Sequence, residues 1–213
     1  MCKVFEITNM MQKTIYRVII SYKCYAIKER MISMRAVIFL AEGFEEIEAI
    51  TVIDVLRRAK VDIKVVSVSD KLAVAGAHKI TVIADALYEE IDFADIDMLI
   101  LPGGMPGTTN LASHQRLIQS ITQHAKDDKW VCAICAAPSI LGKLGILRGK
   151  SAVCYPGFED SLQGAEVKYD SVIHDGKVVT ARGPGVSIQF ALKLVEILKG
   201  PELSEKIKND MLV

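Results

Sequence analysis

Trp130-Val131-Cys132-Ala133-Ile134-Cys135-Ala136-Ala137-Pro138 is an apolar run that stops at a cysteine and passes through small residues to a proline. Such a run reads as a buried strand, and Pro138 suits the first turn of a following helix, so Cys135 falls on the strand-to-helix bend. A sharp turn between a parallel strand and its helix pushes one side chain out at the carboxyl edge of the sheet, beside backbone N–H groups. It does so only where the neighbours two residues either side are small. Ala133 and Ala137 meet that condition. Two readings of Cys135 follow: a displayed nucleophile, or a packed structural cysteine, the usual state of a free thiol.

Working outward, Arg35 to Ala41 reads as a strand, Glu45 to Ala59 as a helix and Val61 to Val68 as a second strand, which together make a βαβ opening. Lys71 to Val74 and His78 to Ile83 pair as a small hairpin around Ala75-Gly76-Ala77. Asp97 to Leu101 is a third buried strand, ending in Pro102-Gly103-Gly104-Met105-Pro106-Gly107, and Gln115 to Ala125 is a helix. After the Trp130 strand come a helix from Pro138 to Leu144 and strands at Ser151 to Cys154, Ser171 to His174 and Val178 to Ala181. Helices at Val186 to Leu198 and Leu203 to Asn209 close the chain. Strands alternating with helices through short loops predict a flavodoxin-like three-layer α/β/α sandwich with a mostly parallel central sheet and a cysteine nucleophile elbow. In such sheets the site lies outside the carboxyl ends of the strands, where Cys135 and the Gly103-Gly104 loop both fall.

A chain of 213 residues that is 51% hydrophobic and 24% charged can bury one sizeable core. Lys+Arg and Asp+Glu balance at 26 each, so no global field favours nucleic acid or an anionic membrane surface. Five cysteines without paired spacing argue against a secreted disulfide framework and for a cytoplasmic, reducing setting. No apolar run reaches the length of a membrane span. Residues 1 to 33 lack turn signals and clear periodicity and precede a cleaner start at Met34. They read as a disordered extension or a mis-assigned start, and 34 to 213 as a single domain.

At helical spacing Glu48, Val52, Val55 and Ala59 share one row, so a glutamate heads an otherwise apolar stripe. Burial there raises a carboxyl pKa and lets Glu48 hold a proton near neutral pH. Glu45 and Glu46 read instead as acidic decoration of the helix N-terminus. Cys132 and Cys135 form a C-x-x-C, but in a strand residues i and i+3 lie ~10 Å apart on opposite faces, beyond the ~7 Å reach of a disulfide. Cys132 is therefore core. None of the four histidines is spaced to complete a metal set with these thiols, so no metal is expected. Gly145 to Ser151 resembles a P-loop but has Leu144 where the first glycine belongs and leaves a helix for a strand, the reverse of phosphate-binding context. The Pro102 to Gly107 loop fails the dinucleotide fingerprint, and its role is to offer N–H donors near Cys135. His114 and His124, in or beside a polar helix, read as solvent-exposed, and His78 as able to fold over the cleft. Position 136 is alanine, so no histidine base directly follows Cys135, and Glu48 is the best candidate base.

Glu48, Leu101-Pro102-Gly103-Gly104, Ala133-Ile134-Cys135-Ala136-Ala137-Pro138 and Arg182-Gly183-Pro184-Gly185 together resemble the ThiJ/PfpI superfamily over residues 34 to 213, a class I glutamine amidotransferase-like domain. Within it the chain is similar to the branch of the parkinsonism-associated protein deglycase and its bacterial counterparts. The resemblance implies a flavodoxin-like homodimer with a reactive cysteine at Cys135, a glutamate at Glu48 that donates a hydrogen bond to its thiolate, and an oxyanion-hole backbone at Gly104 and Ala136. Gly103, His78, Tyr155, Arg182 and Pro184 are candidate cleft residues. The chain departs from the pattern at Cys154-Tyr155-Pro156, where a histidine is expected before the proline, and at Ala136, which argues against peptidase activity.

What the resemblance implies is a cysteine-dependent, cofactor-free glyoxalase III or deglycase acting on small dicarbonyls such as methylglyoxal, or on their protein adducts, in stress protection. The thiol pKa is expected to be lowered from ~8.5 toward the ~3.5–7.5 found for activated cysteines. The alternative is a redox-sensing, chaperone-like protein whose Cys135 is oxidised to sulfinate with little turnover.

Overall fold

The computed structural model describes residues 34–213, and the expectations for residues 1 to 33 lie outside them. The first strand shows how the layers arise. Along β1 (Arg35–Leu40), Ala36, Ile38 and Leu40 pack into one buried cluster, while Val37 and Phe39 pack into another on the opposite face. Strand side chains alternate, so an unbroken apolar strand needs cover on both sides.

That cover comes from two sets of helices. On one face lie α1 (Glu46–Arg58), α5 (Ser187–Lys199) and α6 (Pro201–Asp210), which bring Val52, Leu56, Phe190, Leu194 and Ile207. On the other lie α2 (Gly107–Ser113), α3 (Gln115–Lys126) and α4 (Pro138–Lys143), with Leu111, Leu117, Ile121 and Ile140. Between them run β1, β2 (Asp62–Ser67), β5 (Ala86–Leu87), β6 (Met98–Leu101), β7 (Trp130–Ile134), β10 (Val172–Asp175) and β11 (Val178–Ala181). The seven strands pair in the order β10-β11-β7-β6-β1-β2-β5, parallel except for the edge strand β10. The three-layer, mostly parallel α/β/α sandwich expected from the sequence is the observed fold.

Two small sheets stand outside this one: the hairpin β3 (Ala73–Ala75) with β4 (Thr81–Ile83), and β8 (Ser151–Ala152) with β9 (Glu166–Val167). The Ser151 strand thus leaves the main sheet, and Val153 beyond it is held by donating its N–H to the buried Thr180 hydroxyl at 3.0 Å. From β1 the chain winds to β2 on one side and later returns to β6 on the other, so the carboxyl ends of β1 and β6 form a switch point. Loops from both ends converge there, as they do in open α/β sheets that bind ligands. Among the described residues no helix is long and apolar enough to cross a membrane.

Candidate active site

Three connections meet at this edge: Ala41 to Glu45 after β1, Pro102 to Pro106 after β6, and Cys135 to Ala137 after β7. Cys135 has φ +64°, a left-handed conformation that a side chain adopts only under constraint. The constraint comes from its own backbone. The Cys135 N–H donates to the Ala181 carbonyl at 2.9 Å, and its carbonyl accepts from the Tyr155 N–H at 2.8 Å. Pro138 then opens α4 at its first turn, and the Ala136 N–H is left facing the thiol. Cys135 is 9% exposed and unbonded to other cysteines, while Cys132, fully buried, belongs to the core.

Glu48 enters from α1. Its row mates Val52, Val55 and Ala59 are buried, and Glu48 itself has no exposed surface. One carboxyl oxygen accepts from the Gly103 N–H at 2.7 Å, and the other has no hydrogen-bond partner among the described residues. Burial pushes the acid up to about 7, against the pull of the Gly103 N–H and of Cys135. Gly103 allows this approach: a methyl there would stand 2.7 Å from the Cys135 Cβ and 2.9 Å from the Glu48 carboxyl. Gly104, at φ +90°, turns its own N–H toward the sulfur, and a side chain there would meet the Glu45 backbone.

The lowered thiol pKa expected of Cys135 is not what this geometry gives. Burial and then the Glu48 charge push the thiol up, and the Ala136 and Gly104 N–H groups pull the other way without prevailing. A carboxylate beside a buried thiol resists a second negative charge, so the two acids titrate as one coupled unit. The unit carries one readily mobile proton, held on sulfur when Glu48 is ionised.

The other residues singled out from the sequence have surroundings of their own. His78, on the hairpin, is 69% exposed in its side chain, and its Nδ1 lies 2.9 Å from Glu46. Glu46 is not surface decoration as expected, because it is 3% exposed and accepts from the His78 N–H at 2.7 Å and the Ile80 N–H at 3.3 Å. Burial raises the Glu46 carboxyl, but these hydrogen bonds outweigh it and hold the pKa below the usual value. Glu45, Glu46 and His78 set one ligand atom each within 4.8 Å of one another, the grouping among the described residues with metal-ligand geometry. Tyr155 is exposed beside Cys135, Arg182 is exposed, and Pro184 is half-buried.

His124 also corrects the sequence reading. It is 3% exposed, because Leu117, Ile121 and His124 share the buried face of α3. Burial, with the Lys129 charge, lowers its pKa to about 4. His114 is half-buried and accepts the Leu117 N–H at 3.0 Å, capping α3. The Glu46 contacts escaped the sequence because they are long-range: only the arrival of the hairpin against α1 makes a helix-start glutamate a buried acceptor.

The fold and this edge define a class: a doubly wound α/β protein with a buried thiol and carboxyl at its switch point. The DJ-1/PfpI family model matches residues 34–197, and the chain belongs to that family. It is 36% identical over 181 residues to Protein DJ-1 homolog B of Arabidopsis thaliana, covering 84% of this chain and 41% of that protein, so it spans less than half of that relative's length. It is 32% identical over 168 residues to Glutathione-independent glyoxalase DJR-1.2 of Caenorhabditis elegans, covering 78% of this chain and 89% of that one. The oxidized DJ-1 of Toxoplasma gondii superposes with a TM-score of 0.81 at 36% identity, over 84% of this chain and 98% of that one.

Proposed function

We propose that the chain is a glyoxalase-type enzyme in which Cys135 and Glu48 convert a small 2-oxoaldehyde such as methylglyoxal to its hydroxy acid, with water as the only co-reactant. The observation that carries the reading is the pairing of Cys135 with a carboxyl held at about 7 and flanked by the Gly104 and Ala136 N–H groups. The C. elegans relative named as a glutathione-independent glyoxalase supports it.

In this mechanism ionised Glu48 takes the thiol proton as sulfur adds to the aldehyde carbon, giving a hemithioacetal whose oxyanion meets the Gly104 and Ala136 N–H groups. Glu48 returns that proton to the oxyanion, and the carboxylate so restored takes the proton from that carbon and delivers it, through an enediol, to the neighbouring one, leaving a thioester and a new hydroxyl. Water hydrolyses the thioester and the thiol is restored. Hemithioacetal and aminocarbinol adducts of the same carbonyls present the same carbon to sulfur once the protein thiol or amine leaves it with its proton, which extends the reading to deglycation. Purified protein is expected to release lactate from methylglyoxal, with Cys135→Ala and Glu48→Gln both losing it. Full turnover by Cys135→Ala refutes the reading. Because Glu48 must begin ionised, the wild-type kcat/KM is expected to rise as pH passes through about 7, and a profile flat across that range refutes its role as the base.

A second reading is supported by the unpartnered oxygen of Glu48. Peroxide oxidation of Cys135 to sulfinate supplies an oxyanion that the protonated acid is placed to bind, which suits a redox-responsive stress protein with little turnover. Mild peroxide followed by peptide mass analysis tests it. Oxygen gained at Cys154 or Cys132 before Cys135 rejects it.

We also propose that residues 34–213 act as one functional unit in a cytoplasmic homodimer. The free thiols at Cys132, Cys135 and Cys154 suit a reducing compartment, and the exposed Ile47 and Ile50 of α1 suit burial against a second copy. Size-exclusion chromatography with light scattering measures the assembly directly.

A further inference from the structure

Two residues joined to the backbone around Cys135 carry exposed apolar side chains that the chemistry above does not use. Tyr155 is 46% exposed and Met105 53% exposed. Met105 follows Gly104, whose N–H faces the sulfur, while Tyr155 stands on the side of Ala181 and Gly183.

Tyr155 is fixed from three directions. Its N–H donates to the Cys135 carbonyl at 2.8 Å, and its carbonyl accepts from the Phe158 N–H at 3.1 Å, closing the turn Tyr155-Pro156-Gly157-Phe158. Proline at the second position and Gly157 at φ +95° at the third are what a type II turn requires. The ring lies against Gly183, where an added methyl would sit 3.1 Å from Cδ2, a contact close enough to press on the ring. The phenol oxygen has no hydrogen-bond partner among the described residues. The turn thus holds a half-exposed aromatic ring on the residue whose N–H is bonded to the Cys135 carbonyl.

We propose that Tyr155 is the specificity-determining wall of the site, and that with Met105 it selects 2-oxoaldehydes carrying an apolar or aromatic substituent over bare glyoxal. The inference rests on the glyoxalase reading. A phenyl or alkyl substituent on the carbonyl carbon next to the reacting aldehyde covers the exposed ring face, and the aldehyde itself remains at Cys135. Offset or edge-on aromatic packing supplies the preference without any contact to the reacting atoms. Glyoxal, which carries hydrogen there, gains nothing from the wall.

The test compares kcat and KM for glyoxal, methylglyoxal and phenylglyoxal in wild type, Tyr155→Phe and Tyr155→Ala. Wild type is expected to favour phenylglyoxal over glyoxal. Tyr155→Ala is expected to raise KM for phenylglyoxal relative to KM for glyoxal about ten-fold, the scale on which one apolar contact discriminates. Tyr155→Phe, which keeps the ring and drops the hydroxyl, is expected to match wild type. A substrate ratio unchanged in Tyr155→Ala while all three compounds turn over overturns the wall and leaves the glyoxalase reading standing. Equal loss for all three substrates assigns Tyr155 to holding Cys135 and also overturns it. Wild type that releases no hydroxy acid from any of them overturns both.

Discussion

Glu48 is held against its own solvation. Fully buried, with one oxygen bonded to Gly103 and the other unpartnered, it keeps its proton up to about 7 where an exposed glutamic acid loses it near 4.5. The folded state therefore binds that proton more tightly than the unfolded chain does. Stability from this group is complete below pH 4.5 and is lost as pH rises through 7. At pH 8 the penalty is on the order of 3 kcal/mol, from 1.36 kcal/mol per pKa unit. Glu48→Gln keeps the shape and removes the charge, so it is expected to unfold at higher urea concentration than wild type at pH 8 and equally at pH 4, while losing turnover. A stability cost at a group that the proposed chemistry uses is a familiar exchange. The sequence made Glu48 visible through its position at the head of an apolar row. It did not show the direction of the Cys135 shift, which depends on how deep the thiol sits and on the carboxylate beside it.

At the scale of elements, the long periodic segments were legible. β1, α1, β7 and α5 fall within a residue or two of their expected bounds, because each is long and apolar on the faces it buries. Short or locally ambiguous elements were not. Gly107–Ser113 forms α2 although its glycine, threonines and asparagine are weak helix formers, held by Leu111 in the core and by the Asn110 side chain donating to the Glu42 carbonyl at 2.8 Å. β5 and β9 are two residues each and exist only because a neighbouring strand supplies the hydrogen bonds. The β3–β4 hairpin is fastened to α1 and the loop before it in the same way: Gly43 donates to the Ala75 carbonyl, Ala77 to that of Phe44, and His78 and Ile80 to Glu46. Removing the carboxyl with Glu46→Ala takes the acceptor from the His78 and Ile80 N–H groups, at about 0.5–1.5 kcal/mol for each hydrogen bond lost. Faster hydrogen exchange at the His78 and Ile80 amides and a lowered Tm are the expected signs, with the α5 amides unaffected.

Across the whole molecule two buried titrating groups act in opposite senses on opposite faces of the sheet. His124 is neutral in the fold down to about pH 4, whereas the unfolded chain takes up the proton near 6.5. Its contribution is intact above 6.5 and lost as pH falls through 4, the reverse of Glu48. His124→Gln removes this liability, so its stability relative to wild type is expected to rise by up to about 3 kcal/mol between pH 6.5 and 4; urea midpoints at pH 4.5, 6 and 7.5 measure it. The sequence by itself determined the layer architecture and the placing of Cys135, since hydrophobic period and turn chemistry are local and survive without knowledge of partners. It also determined the balanced charge and, through four short motifs, the family. The tertiary structure alone decided which polar groups meet: Glu46 with the hairpin, His124 with the core, Glu48 with Gly103, and Tyr155 with Gly183. Those pairs lie tens of residues apart in sequence, so their energies belong to packing and desolvation, which exist only once the layers have closed.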